Sequence, residues 1–142
     1  MKHDHIQKVL QKNLIQPESE LSESAKPRLV IVSPALASAN NGNWQTAKRY
    51  RQLLNSHFRV RLVDKWDGAK SDVLMLALHA RRSYDSIAAW HDMHGANGLV
   101  VVLTGTDLYR DIQHHPLAQQ SLEFASHLVV LQPMGLVELP AR

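Results

Sequence analysis

The chain has 142 residues, 44% of them hydrophobic and 20% charged, which supplies one core of ordinary domain size and rules out disorder throughout. Sixteen Lys and Arg against thirteen Asp and Glu leave a net charge of only +3, so no basic stripe points to nucleic acid. The absence of cysteine excludes a disulfide framework, a thiolate zinc site and a cysteine nucleophile. No apolar run nears the roughly 18 residues of a spanning helix, and the N-terminal stretch lacks the apolar centre of a secretory signal. The expectation is a cytoplasmic protein with no membrane span.

Residues 3–14 put Ile6, Val9, Leu10 and Leu14 on one helical face behind Asp4, a candidate N-cap; the stretch reads as a short amphipathic helix or a frayed tail. Gln16 to Pro27 is polar, acidic at Glu18, Glu20 and Glu23, and broken by two prolines, which marks residues 1–27 as an extension with a linker. From Arg28 onward the texture changes. Leu29–Val32 is a branched-aliphatic run suited to a strand buried on both faces. After a polar loop, Trp44–Asn55 predicts a helix with Trp44, Ala47, Tyr50 and Leu54 inward.

Phe58–Val63 alternates Phe58, Val60 and Leu62 with Arg59 and Arg61, the period of a half-covered strand near a sheet edge. Val73–Leu78 and Leu99–Leu103 are further buried strands, with a helix over Ser83–Met93 between them. Pro116 suits the first turn of a helix through Phe124, and Leu128–Leu131 is a fifth strand; Gly135–Leu139 begins another element. Trp44, Trp90 and Phe124 fall at helical spacing with other apolar residues, so they are read as core.

Strands alternating with helices, three of them apolar throughout, predict an α/β fold: a doubly wound parallel sheet, Rossmann-like, in three α/β/α layers. Ligands in such sheets bind beyond the C-terminal strand ends. The loops to search are therefore Ser33–Asn43, His79–Ser83 and Thr104–His115.

In the first loop, Gly42 and Asn43 stand at a helix start where backbone N–H groups can hold a phosphate, although neither a dinucleotide fingerprint nor a Walker loop is present. A flexible loop with no ligand is the competing reading. The second loop brings His79, Arg81 and Arg82 together: guanidinium forks suit phosphate oxygens, and an imidazole can orient or deprotonate a nucleophile. Solvated arginines at a helix start are the bland alternative. The third offers Thr104, Gly105, Thr106, Asp107, Arg110 and Asp111, with Asp107 able to bind a polar substrate or to cap the following helix. The His3–His5 and His114–His115 pairs lack further ligands at metal spacing, so no metal site is expected.

The loop ending Asn41-Gly42-Asn43, the strand end Ala77–Ser83, the run Leu103–Asp111 and the stretch Val129–Pro133 together resemble the N-terminal half of GT-B glycosyltransferases of the family-4 type. Within that superfamily they look most like the selenosugar synthases of selenoneine biosynthesis, over about Arg28 to Pro140. The resemblance implies transfer of N-acetylglucosamine from UDP-N-acetylglucosamine to selenophosphate with release of UDP, and no obligatory cofactor beyond the UDP-sugar donor. It implies that Gly42 and Asn43 lie near the donor phosphates or the acceptor and that His79 faces the cleft. The catalytic candidates are His79 and Asp107, and the substrate-binding candidates are Gly42, Asn43, Arg81, Arg82, Thr104, Gly105, Thr106 and Arg110, with the three arginines assigned to an anionic acceptor by their charge and placement.

The resemblance further implies an acceptor-side domain over 28–142, without the second, donor-binding domain, and hence a chain inactive alone, partnered by a C-terminal half or by its own copies. The competing class is a non-catalytic half-glycosyltransferase that binds a phosphorylated ligand or a protein partner. A phosphorylated receiver is disfavoured because Ser33-Pro34 and Leu78-His79 stand where it would carry acidic residues.

Overall fold

A computed structural model of the chain describes residues 25–34, 42–131 and 133–140. Five strands form one sheet: β1 (Arg28–Val32), β2 (Arg59–Val63), β3 (Asp72–Leu78), β4 (Leu99–Leu103) and β5 (His127–Val130). Their order is β2-β1-β3-β4-β5, and every neighbouring pair is parallel. The helices are α1 (Gly42–Leu54), α2 (Tyr84–His94), the single turn α3 (Ile112–His114) and α4 (Pro116–Phe124). The expected doubly wound, three-layer Rossmann-like sheet is therefore what the chain forms.

Pattern and position agree strand by strand. The continuous aliphatic run of β4 is buried at all five positions, because an interior strand of a parallel sheet is covered on both faces. Edge strands β2 and β5 are half-buried throughout, as the Arg-alternating pattern of β2 predicted. Leu29, Ile31, Leu74, Leu76 and Leu78 pack with Ala47, Tyr50 and Leu54 of α1 on one face. On the other face Val30, Val32, Met75, Ala77 and Val101 pack with Ile87 and Trp90 of α2 and with Ala118 and Leu122 of α4. Each such aliphatic side chain removed from water contributes about 1.5–3 kcal/mol before chain entropy is charged against it.

Of the expected core aromatics, Trp90 is buried and Phe124 partly so, while Trp44 is half-buried. The stretch 107–114, expected as loop, is helical: a wide π-type turn over Asp107–Asp111 runs into α3. At the opposite end of the sheet, the β1–β3 register slips at Val73, where the loop before β4 closes in. Gly98 makes that approach possible: it has φ +73°, and a Cβ there would sit 2.5 Å from the Val73 carbonyl oxygen. No helix among the described residues is long and apolar enough to cross a membrane. Residues 3–14, with the helix expected of them, lie outside the described residues, as does most of the linker.

Candidate functional site

The strand order reverses direction between β1 and β3, so the crevice of this sheet lies beyond the C-terminal ends of those two strands. A cleft of about 370 Å³ opens there, lined by Gly42, Asn43 and Thr46 of α1, His79 and Arg82 after β3, and Thr104, Gly105 and Thr106 after β4. Seven of these eight were expected as site residues. Thr46 was missed, and its signal was plain: it lies one helical turn after Gly42, on the same face of α1. Residues 35–41 of the first loop lie outside the described residues.

His79 is the centre of the cleft wall. It is 1% exposed and has φ 75°, a left-handed backbone that residues other than glycine seldom adopt. The surroundings over-determine that conformation. Its N–H donates to the Val102 carbonyl at 2.9 Å, and its carbonyl accepts from the Ser83 N–H at 3.0 Å. The next residue, Ala80, donates its N–H to the Asp107 carboxylate at 2.9 Å and accepts from the Ser121 hydroxyl at 2.6 Å. The Ser83 hydroxyl donates to the Leu78 carbonyl. Ser83 and Ser121 hold the loop without touching the cleft, and nothing in their local sequence distinguishes them from surface serines.

The imidazole is equally constrained. The Arg82 N–H donates to Nδ1 at 3.1 Å, so in the neutral ring the proton rides on Nε2, which stands 2.9 Å from Thr106 Oγ1 and donates to it. Burial pushes the His79 pKa down, with Arg82 and Arg81 acting in the same direction against Asp107 and Asp111. Protonating Nδ1 would also cost the Arg82 N–H its acceptor. The geometry thus makes His79 a neutral N–H donor toward the cleft. Of the two roles open to it on sequence grounds, orienting a group fits the geometry, and deprotonating one does not.

The two aspartates do different work. Asp107 is fully buried, and its carboxylate accepts three backbone N–H groups: Thr104 at 3.0 Å, Gly105 at 2.9 Å and Ala80 at 2.9 Å. It ties the loop after β3 to the loop after β4, and it lines no part of the cleft. Gly105, at φ +149°, supplies the turn that brings its own N–H to that carboxylate. Asp111 is 5% exposed and faces two cations, with Arg81 Nε at 3.1 Å and Arg110 Nε at 3.7 Å, while the neutral His79 ring stands farther off, its Nε2 at 3.9 Å.

Of the three expected anion-binding arginines, Arg82 lines the cleft, Arg81 is engaged with Asp111, and Arg110 lies mostly in water beside the same carboxylate. Among the described residues no group of three or more His, Asp or Glu could hold a metal ion; His3 and His5 lie outside them. No family model and no curated protein matches this chain. What the site can do is therefore read from its own geometry: among the described residues its lining offers backbone N–H groups at the start of α1, hydroxyls and one guanidinium, and no carboxylate.

Proposed function

We propose that the cleft binds a small phosphorylated anion and that the chain is the acceptor side of a nucleotide-sugar-dependent glycosyltransferase. In its full form the reading is that of a cytoplasmic selenosugar synthase: selenium of selenophosphate attacks the anomeric carbon of UDP-N-acetylglucosamine. The carbon–selenium bond forms as the carbon–oxygen bond to UDP breaks, and UDP leaves with the electron pair. The motif resemblance supplies the substrates. The observation that carries the anion reading is the cleft lining, in which Arg82 and the N-terminal turn of α1 face a wall with no acidic side chain among the described residues.

The state of His79 supports the same chemistry. An acceptor that arrives as an anion needs no general base, and a neutral histidine whose Nε2–H donates to the Thr106 oxygen leaves the Thr106 hydroxyl proton free to donate to an oxygen of the acceptor. Rate enhancement on this reading comes from positioning two charged reactants against fixed dipoles. Arg82 is the principal charge contact, Gly42 and Asn43 contribute backbone N–H groups at the start of α1, Thr104 and Thr106 contribute hydroxyls, and Gly105, whose N–H is held by Asp107, forms the wall between them. Asp107 acts as a positioning residue behind them.

Calorimetry of the purified chain with selenophosphate tests the binding step. Saturable one-site binding, weakened about tenfold or about 1.4 kcal/mol by Arg82→Met and little by Arg110→Met, is the expected result. Absence of saturable binding overturns the reading. UDP release from UDP-N-acetylglucosamine, by the chain alone and mixed with a separately expressed donor-binding half of a related synthase, then separates a transferase from a domain that binds without turnover.

A further inference from the structure

We propose that the cleft takes its anion as a phosphate ester of a compact ring, and that the ring sits in a separate small hollow beside it. Resting on the anion reading of the cleft, this extends that reading to the group the phosphate is attached to. The hollow, about 100 Å³, lies past the C-terminal ends of β4 and β5 and is lined by Leu103, Thr104, Gly105, Leu108, Tyr109 and Leu131. Thr104 and Gly105 line the cleft as well, so one stretch of backbone is a wall common to both. That wall is rigid and low. The Thr104 and Gly105 N–H groups donate to the Asp107 carboxylate at 3.0 and 2.9 Å, and the Gly105 carbonyl accepts the Tyr109 N–H at 2.9 Å. Among the described residues no atom lies within 4 Å of the point that a Cβ on Gly105 would occupy. A ligand can therefore lie against bare backbone where it passes from the cleft to the hollow.

The two sides of the wall differ in chemistry. Arg82 and three hydroxyl-bearing threonines line the cleft, whereas no charged side chain lines the hollow among the described residues. Leu103 and Leu108, 1% and 2% exposed, form its floor, and the large side chains of Tyr109 and Leu131 stand at its rim 52% and 47% exposed. A free inorganic anion gains nothing from these four residues. An apolar ring covers them and leaves water itself, and Tyr109 offers an aromatic partner for it. Size narrows the class further. A closed apolar cavity of about 150 Å³ takes up benzene, so a half-open hollow of about 100 Å³ admits one six-membered ring and excludes a fused or branched group.

Calorimetry of the full-length chain with inorganic phosphate and with phenyl phosphate tests this, at about pH 8, where a phosphate ester carries two charges. The expected result is one-site binding of both, with phenyl phosphate about tenfold tighter and both weakened about tenfold by Arg82→Met. Leu131→Asn and Tyr109→Ala change exposed, uncharged positions, so the fold is kept and no charge is brought near the anion. Each should remove most of the advantage of phenyl phosphate while leaving the affinity for inorganic phosphate within about twofold. Equal affinity for the two probes would overturn the ring site and leave the anion reading standing. Binding of neither would remove both. An advantage that survives in both variants would put the ring elsewhere and overturn the proposal as well.

Discussion

Two buried aspartates, Asp72 and Asp107, tie opposite ends of the sheet and are satisfied in opposite ways. At the N-terminal strand ends Asp72, 1% exposed, meets side chains: Arg61 Nη2 at 2.6 Å, Trp66 Nε1 at 3.0 Å and Arg28 Nε at 3.5 Å. Arg61 spans from there to the exposed Asp67 at 2.9 Å, which holds that carboxyl at about 2. At the C-terminal strand ends Asp107 meets only backbone N–H groups. A carboxylate that absorbs arginines closes an edge. One that absorbs loop amides instead shapes a wall and leaves the cations nearby to other tasks, which is why Arg82 can line a cleft.

Mutations at the two ends should separate along that line. Asp107→Ala strips three buried or part-buried N–H groups of their acceptor, and urea unfolding should show a loss of about 3–5 kcal/mol. Anion binding should disappear with it. Asp72→Ala should cost less, about 2–3 kcal/mol, since Arg61 keeps Asp67 and some access to water. It should leave calorimetric affinity for selenophosphate unaltered, and a Kd change above threefold would mean that the two ends are coupled.

A pH series sharpens the contrast further. Because the folded His79 pKa lies below its usual 6.5, the unfolded chain binds the extra proton first; the contribution of His79 is intact above about pH 6.5 and is lost as pH falls below it. The slope is at most about 1.4 kcal/mol per pH unit. His79→Asn tolerates the left-handed backbone and keeps an acceptor for the Arg82 N–H. It should therefore remove this part of the pH dependence while abolishing the donor to Thr106. An identical pH profile in the variant would show that the histidine is not held neutral. The smallest stability effect belongs to Arg82→Met, within about 0.5 kcal/mol, although it carries the largest specific loss of anion binding relative to its cost in fold.

The fold was legible because its signals are local and repeated. The aliphatic run of β4 and the alternation of β2 each depend on what covers one strand, and five such strands leave little choice of class. The place of the site was legible for the same reason: once the sheet is parallel, the loops after β3 and β4 must converge. What was hidden is long-range pairing. Nothing near Asp107 indicates that it will hold Ala80, 27 residues away, or that this grip turns an expected loop into a helical turn. The Asp72 cluster was missed entirely, since its members come from β1, β2, β3 and the loop before β3 and share no spacing. For Arg81, proximity to Arg82 in sequence suggested a common role, whereas Asp111 separates them.

The three amides gripped by Asp107 also give the protein a built-in spectroscopic probe. Backbone N–H groups of Ala80, Thr104 and Gly105 that donate to a carboxylate should resonate well downfield of ordinary loop amides. Thr104 and Gly105 line the cleft themselves, and Ala80 adjoins His79. A single two-dimensional spectrum, with no label attached, should thus register any anion arriving at the wall as a movement of three isolated peaks.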